Sequence, residues 1–434
     1  MQSLETLPPP HLENRADHTV AIRPEQSHVW AFLLGLVCMG VLLVYQTERM
    51  RQMERMAIHW VAQEAAEYTT EKNTEPRLEK ITNFGMALQR QAMAEADLLP
   101  FYGSSELAKP VEDRASAFFK NSPTGFEVFP VGKAGTTSLV ILQKIAACAG
   151  NNEGRKVAIL LSPGWFFSVT TEGRFYEGNF SRQQASALVF NPRLSIDLKQ
   201  AIARRMQARP ATLERNALLQ FASARLADGS TGSRLLYHFT EPLGFVQNWI
   251  YSLQDDAEVA ANLSVQRDQW MAPMAKTPAV LNWDELLASA DRESQDSEDF
   301  EHRWRGHRRE INTSFRETML QSTEWGDLDL LLETLDQLRL DPLILCMPPN
   351  GDYLQRQGVA RQTLDLFEQR LREHVGRHGM RLVAFEDHID DRRFLADHHD
   401  HLSAKGWMYI NQALDEFFHG KEPQLKAQIP GDRT

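Results

Sequence analysis

Cysteine is scarce in this chain. Cys38, Cys148 and Cys346 are the three cysteines among 434 residues, and no two of them form a C-x-x-C pair. Because such pairs mark many zinc sites and redox-active dithiols, the sequence predicts neither. Cys148 and Cys346 could form a disulfide in an oxidising compartment, but we expect both to be buried free thiols.

Net positive charge is also missing. The chain has 47 Lys and Arg against 58 Asp and Glu, which gives a formal net charge of −11. Proteins that bind nucleic acids concentrate basic residues, often interleaved with aromatic ones, and no such patch occurs here. With 42% hydrophobic and 24% charged residues, the composition is that of a globular protein with a large core. We therefore expect no nucleic-acid partner.

One stretch lacks charged residues altogether. Residues 29–45 read VWAFLLGLVCMGVLLVY, with Trp30 and Tyr45 near the ends, where aromatic rings favour a membrane interface. The run is long enough for a helix to span a thin bilayer. No small-x-small cleavage site follows it, so we expect an uncleaved signal anchor rather than a signal peptide or a core helix.

Strand and helix patterns alternate after the anchor. Apolar segments predict five strands, near residues 98, 125, 156, 342 and 380. Continuous apolar runs are typical of parallel strands that are covered on both faces. Because each run is followed by a turn and then by a helix or a helical segment, the pattern indicates a doubly wound, mostly parallel five-stranded α/β sheet.

A long internal segment lacks strand patterns. Apolar residues recur every four positions at Leu194, Leu198 and Ile202, which indicates an amphipathic helix. Another helix is predicted at about Glu79–Ala96, directly before the first strand. The predicted organisation begins with a disordered tail (1–28), an anchor (29–45) and juxtamembrane helices with a linker (46–96). An α/β domain in two parts follows (97–180 and 326–420), with a helical insertion between those parts (181–325). A C-terminal tail (421–434) ends the chain.

Two serines stand at the end of the first predicted strand. Residues 98–107 read LLPFYGSSEL, and Gly103 allows the backbone to turn sharply there. Either Ser104 or Ser105 could be a nucleophile, because a helix N-terminus favours developing negative charge. An ordinary N-cap serine is the alternative interpretation.

The loop after the last predicted strand is rich in His and Asp. Residues 397–407 read DHHDHLSAKGW. Functional residues gather at the carboxyl ends of strands in open α/β sheets, so this loop can reach the serine turn. An imidazole can take a proton from serine at neutral pH, and a carboxylate can hold its tautomer. A zinc site is the alternative. We expect none, because adjacent residues of one loop rarely all face one ion.

Four motifs follow the anchor in a fixed order. They are GSSE, SPGWF, PPNG and HLSAKGW, at Gly103–Glu106, Ser162–Phe166, Pro348–Gly351 and His401–Trp407. Together they resemble the DltD branch of the SGNH (GDSL-type) hydrolases, and the resemblance covers residues 29–420. DltD proteins act in the D-alanylation of teichoic acids.

The resemblance implies a catalytic triad. By position, Ser105 matches the family's nucleophile, with Ser104 as the alternative, and His401 matches its base. The family usually has Asp three residues before this His, where the present chain has another histidine. Asp397 is therefore the predicted acid, and Asp400 is the alternative.

The resemblance also implies groups that bind the oxyanion or the substrate. Gly132 or Gly135 falls where the family has its oxyanion glycine. Gly164 would offer a backbone N–H, and Asn350 is the candidate for the third-block asparagine. Glu106 either binds the cationic amine of an aminoacyl group or lies in the first turn of the helix.

The implied function is that of a membrane-anchored serine acyl transferase or esterase without a cofactor. Its substrate would be a D-alanyl or other acyl ester of a cell-envelope polymer. The implied partners are a membrane O-acyltransferase of the MBOAT type, an acyl (D-alanyl) carrier protein, the polymer and the bilayer. The alternative is a non-catalytic accessory protein that binds an acyl carrier or an envelope glycan and docks the acyltransferase.

An envelope substrate implies that the α/β domain lies on the extracytoplasmic (periplasmic) side of the cytoplasmic membrane. The basic residues that flank the anchor differ by one charge between its two sides, so they do not decide the orientation.

Overall fold

The computed structural model describes residues 24–64, 76–109, 111–171, 173–271, 277–295, 307–397 and 401–421. The chain divides into two compact units, Met1–Arg49 and Met50–Thr434. In the described residues the helices, in chain order, are α1 (Pro24–Glu64), α2 (Pro76–Phe84), α3 (Ala87–Ala94), α4 (Ala115–Asn121), α5 (Ser138–Cys148), α6 (Gly173–Asn179), α7 (Arg182–Val189), α8 (Ile196–Gln207), α9 (Ala217–Asp228), α10 (Thr231–Val265), α11 (Arg267–Trp270), α12 (Trp283–Glu293), α13 (Arg308–Gln321), α14 (Glu324–Gln337), α15 (Gly351–Gln357), α16 (Arg361–Arg377) and α17 (Ala404–Phe418).

The first unit contains the N-terminal part of α1. Every side chain of residues 29–45 is exposed, which is the opposite of what a core helix would show. From His28 onwards α1 is long and apolar enough to cross a membrane. This finding confirms the predicted anchor-type helix and is consistent with a single membrane pass.

The second unit is built around one parallel sheet in the order β2-β1-β3-β4-β5, which confirms the predicted fold class. The strands are β1 (Leu98–Gly103), β2 (Glu127–Gly132), β3 (Lys156–Leu161), β4 (Asp341–Cys346) and β5 (Arg381–Ala384). The chain passes from β1 to one side and then to the other, so the strand order reverses between β1 and β3. Ligands of open α/β sheets bind at the carboxyl ends of strands beside such a reversal.

Helices cover both faces of the sheet. Successive side chains of a strand point to opposite faces of the sheet. Alternate residues of β1 therefore pack into two different hydrophobic clusters, one on each face. Leu98 and Tyr102 join a cluster that includes α5 and α14, whereas Leu99 and Phe101 join a cluster that includes α17. All six residues of β1 are buried, as the unbroken apolar run predicted. Cys148 and Cys346 are buried and free.

The segment between β3 and β4 holds helices α6–α14 and, among its described residues, no strand. One helix prediction outside it was wrong. Residues 79–96 form parts of two helices, α2 and α3, instead of one. The backbone N–H groups of Met86 and Ala87 both donate to Asp255 Oδ2, each over 2.6 Å. This carboxylate belongs to α10, so a distant residue caps α3 and helps to keep the two helices separate.

Candidate active site

The serine turn lies where β1 ends. A short 3₁₀ helix, Ser105–Leu107, follows Ser104 directly. A Cβ atom at Gly103 would lie 2.8 Å from Glu106 Oε1, so only glycine fits this close approach. The Ser104 hydroxyl is buried and has no hydrogen-bond partner in the part of the chain that the structure describes, whereas Ser105 is partly exposed.

Ser105, His401 and Asp397 form a continuous line of contacts. Ser105 Oγ lies 3.0 Å from His401 Nε2, although the two residues are 296 positions apart. His401 Nδ1 lies 2.7 Å from Asp397 Oδ2 and 2.9 Å from Oδ1. A hydroxyl in this position can pass its proton to the imidazole, while the carboxylate holds the ring. The alternative acid, Asp400, lies outside the described residues, as do His398 and His399.

The Asp397–His401 loop is closed at its base. Leu395 and Leu402 form an antiparallel bridge, and Ala396 N–H donates to the His401 carbonyl over 2.7 Å. This pairing brings Asp397 back towards His401, four residues later. The spacing that departs from the family pattern is therefore compatible with an Asp–His contact.

Lys109 is a second side-chain neighbour of Asp397, which the sequence analysis missed. Its Nζ donates to Asp397 Oδ2 over 2.7 Å. Burial disfavours the charged carboxylate, but the hydrogen bonds from His401 and Lys109 outweigh burial and hold the pKa of Asp397 below its usual range. Asp397 is therefore ionised at neutral pH. No sequence pattern links positions 109 and 397, so only the folded chain could identify this contact.

The motif after His401 secures the loop to α17. Ser403 caps this helix by accepting the N–H of Gly406 over 3.2 Å, and its hydroxyl donates to the Phe394 carbonyl over 3.0 Å. Lys405 Nζ pairs with Asp391 Oδ2 at 2.7 Å. These conspicuous residues of the HLSAKGW motif thus hold the backbone beside His401.

Glu106 joins the ends of β1 and β3. Its Oε1 accepts the N–H of Ser104 over 2.6 Å, and its Oε2 lies 3.3 Å from the Ser162 hydroxyl. Burial raises the pKa of Glu106, although the hydrogen bonds from Ser104 and Ser162 oppose this effect. Glu106 lies in the first turn of the 3₁₀ helix, which was one of its two predicted roles, and is not among the described residues that line the adjacent cavity.

A cavity of about 630 Å³ opens beside Ser105 and His401. Besides these two residues, three of the predicted oxyanion or substrate-binding residues line it: Gly135, Gly164 and Asn350. The lining also includes apolar residues that were not predicted as site residues, among them Trp165, Phe167, Phe175, Phe315, Tyr353 and Leu354. Trp165 belongs to the SPGWF motif, whereas Phe175 and Phe315 come from the segment between β3 and β4, where no local pattern marked them.

The two predicted oxyanion glycines occupy different places. A Cβ atom at Gly132 would lie 2.9 Å from Leu107 Cβ, so Gly132 permits close packing of the serine turn and does not line the cavity. Gly135 has a φ of +86°, a conformation that favours glycine. Asn350 Oδ1 accepts the N–H of Tyr353 over 3.0 Å and caps α15, which leaves its amide N–H₂ available to a ligand.

Comparison with known proteins identifies the family of this chain. Residues 75–419 match the family model described as DltD protein. The chain is 25% identical over 347 residues to Protein DltD of Bacillus subtilis (strain 168), covering 77% of this chain and 86% of that relative. It is 21% identical over 381 residues to Protein DltD of Staphylococcus aureus (strain NCTC 8325 / PS 47), covering 86% and 93%.

A further relative is Protein DltD of Lacticaseibacillus rhamnosus, which is 21% identical over 346 residues and covers 77% of this chain and 80% of its own length. The matched region contains the whole sheet and both ends of the Ser105–His401 contact. Because the family model spans most of the chain, the chain belongs to the DltD family.

Proposed function

We infer that this protein is a membrane-anchored serine acyl transferase or esterase that acts through Ser105, His401 and Asp397. The observation that carries this proposal is the line of contacts from Ser105 Oγ through the imidazole to an ionised carboxylate, at the edge of a cavity. Nucleophile, base and orienting acid have the same relations in serine hydrolases of unrelated folds.

In the first half-reaction, Ser105 Oγ attacks the carbonyl carbon of an acyl ester while its proton passes to His401 Nε2. The tetrahedral intermediate then collapses, and the bond to the leaving oxygen breaks. That oxygen takes the proton from His401 and departs as an alcohol, leaving the acyl group esterified to Ser105. Asp397 stabilises the imidazolium that exists between these two proton transfers.

In the second half-reaction, a hydroxyl of the acceptor gives its proton to His401 Nε2 and attacks the acyl-serine carbonyl. Collapse of this intermediate returns the proton to Ser105 Oγ and leaves the acyl group on the acceptor. A polymer hydroxyl as acceptor makes the protein a transferase, and water makes it an esterase. Both outcomes use the same residues and differ only in what reaches the cavity.

The negatively charged oxygen of each tetrahedral intermediate needs hydrogen-bond donors. Backbone N–H groups at Gly135 and Gly164 and the amide of Asn350 are the proposed donors, because all three residues line the cavity beside Ser105. One such donor contributes roughly 3–4 kcal/mol to stabilisation of the transition state. Gly132, which is packed against Leu107, is not part of this proposal.

Membership of the DltD family supports D-alanyl esters of a cell-envelope polymer, teichoic acid or a lipopolysaccharide-type acceptor, as the substrate class. The proposed partners are a membrane O-acyltransferase of the MBOAT type and an acyl (D-alanyl) carrier protein. The α/β unit would work on the extracytoplasmic side of the cytoplasmic membrane, where such a polymer lies.

Labelling with a fluorophosphonate probe tests the catalytic proposal. The full chain in detergent micelles should be labelled, and Ser105→Ala should abolish the labelling. Ser104→Ala is the matched control and should still be labelled, because its hydroxyl does not contact His401. If the unaltered chain is not labelled, the protein is a non-catalytic accessory protein. If Ser105→Ala is still labelled, the nucleophile is wrongly assigned.

Reporter fusions after Thr434 test the proposed side of the membrane. A reporter that is active only outside the cytoplasm should be active, and one that is active only inside should not. The reverse result would overturn both the topology and the envelope-polymer substrate.

A further inference from the structure

The first half of α10 exposes large apolar side chains and buries mostly small or polar ones, which is the reverse of the usual pattern in a water-facing helix. The residues that it buries are small or polar for the most part, namely Ser233, Tyr237, Thr240 and Gly244. Most of its exposed large side chains are apolar, with His238 as an exception, and they include Leu235, Phe239, Leu243, Val246, Trp249 and Ile250. Their spacing of three and four places them on one face of the helix. A helix that faces water shows the opposite distribution.

This surface, called here the α10 apolar face (residues 235–250), is too large to be incidental. Phe239 is 71% exposed and Trp249 is 55% exposed. An aromatic side chain has roughly 150–250 Å² of surface, so these two rings alone expose about 200 Å² of apolar area. With the aliphatic residues between them, the face reaches the size that in soluble proteins marks an interaction site.

The apolar character stops within the same helix. Beyond Ile250 the exposed face continues with Gln254, Ala257, Glu258 and Ala261, which are polar or small, and a large apolar side chain is exposed again at the last residue of the helix, Val265. One continuous helix thus has an apolar exposed half and an ordinary water-facing half. Whatever covers α10 therefore contacts residues 235–250 and ends near residue 254.

The second half of α10 is tied to the end of the anchor. Asp256, whose side chain is buried, pairs with Arg51 at 3.6 Å and with Arg90 at 3.1 Å. Arg51 follows Tyr45 by six residues within α1, which is about 9 Å along a helix. Asp256 follows Ile250 by the same number of residues within α10. Arg51, which follows the end of the apolar run by six residues, is therefore paired with the same helix that carries the α10 apolar face.

We propose that the α10 apolar face is a second membrane contact, which lies in the headgroup region of the bilayer that holds α1. Amphipathic helices lie in this way with their apolar side chains about 5–10 Å deep, and tryptophan favours the same depth. The protein would then contact the bilayer through two segments of its chain, α1 and the α10 apolar face. This proposal does not depend on the catalytic one or on which leaflet is involved.

A depth measurement on the full chain tests the proposal. Leu243→Cys, in a Cys38→Ala background, would carry an environment-sensitive NBD fluorophore, and Cys148 and Cys346 are buried. Ala261→Cys is the matched control, because it lies on the exposed face of the polar half. The protein would be placed in vesicles of phosphatidylcholine and phosphatidylglycerol that contain a lipid with a doxyl quencher near the headgroup.

Quenching should be at least about threefold stronger at position 243 than at position 261, with blue-shifted emission at position 243. Phe239→Cys, one turn earlier, should behave like position 243. Equal, weak quenching at both positions would overturn the proposal. Blue-shifted emission at position 243 without lipid quenching would also overturn it, since the face would then be covered by protein, either another part of this chain or a second copy.

Discussion

Glu106 offers the sharpest test of how the serine turn is held. The perturbations are Glu106→Ala and Glu106→Gln, compared with the unaltered chain. In the structure this carboxyl group accepts the Ser104 N–H and lies against the Ser162 hydroxyl, and it is not among the residues described as lining the cavity. We therefore expect Glu106 to position the turn that carries Ser105 and not to bind the amine of a substrate.

The expected loss of stability in Glu106→Ala follows from two lost interactions. Alanine leaves the buried Ser104 N–H without its acceptor, which costs about 1–3 kcal/mol. It also removes buried methylene surface, at about 0.8 kcal/mol for each CH₂ group. Because alanine has no carboxyl group to bury, the cost of removing that group from water disappears and offsets part of the loss. Glu106→Ala should therefore lower the free energy of unfolding by about 2–3 kcal/mol. Glutamine can accept from Ser104 and donate to Ser162, so it should cost less than about 1 kcal/mol.

Activity should follow the same order. Displacement of the serine turn in Glu106→Ala should slow ester hydrolysis by about 10–100-fold, since small errors in nucleophile position are costly. Glu106→Gln should stay within about threefold of the unaltered chain. The assay compares a neutral ester, p-nitrophenyl acetate, with a cationic D-alanyl ester, alongside urea unfolding followed by tryptophan fluorescence.

The neutral and cationic substrates separate the two roles of Glu106. A positioning role predicts that each variant changes both activities by the same factor. If Glu106→Gln loses D-alanyl ester turnover selectively and keeps the neutral activity, the carboxylate binds the amine and the reasoning above is refuted.

Four further outcomes are expected. Ser105→Ala and His401→Ala should each abolish ester hydrolysis, and the double variant should lose little more than either, because both serve one proton transfer; additive losses would contradict this. Asp397→Asn should lower kcat by about 10³–10⁴-fold with the fold retained in circular dichroism, because the imidazole tautomer is no longer held. Lys109→Met should cost less than about tenfold in kcat, since His401 still holds Asp397; a loss as large as that of Asp397→Asn would give Lys109 a direct role. The pKa of Asp397 is lowered from its ordinary value of 3.8, so its carboxylate stabilises the fold fully at pH values well above 3.8 and loses this effect as the pH falls towards the lowered pKa. The stability advantage over Asp397→Asn in urea unfolding should therefore be constant near neutral pH and shrink from about pH 5 downwards.

Local patterns in the sequence were sufficient to predict the anchor-type helix and the five strands of this fold. The uncharged run at 29–45 predicted a membrane-spanning helix because no polar side chain interrupts it, and the structure leaves that run uncovered. The continuous apolar runs predicted five parallel strands, because only a strand covered on both faces tolerates such a composition. The GSSE and HLSAKGW motifs marked the ends of two strands as the place to look for chemistry, because the carboxyl ends of parallel strands share one edge.

Only the tertiary structure decided which of these residues meet. Lys109 contacts Asp397 across 288 positions, and Glu106 reaches Ser162 between two strands, so no local periodicity could predict either pair. The separation of α2 from α3 depends on Asp255 of α10 for the same reason.

The α10 apolar face shows the difference most clearly. Its spacing predicts an amphipathic helix, but hydrophobic periodicity says only that one face differs from the other. Which face the rest of the protein covers depends on packing against distant residues such as Phe190, whose ring fills the place that a side chain at Gly244 would need. The sequence therefore determined the anchor-type helix, the strands and the polarity of the helix faces, whereas the folded chain determined which residues form the site and which apolar surface stays uncovered.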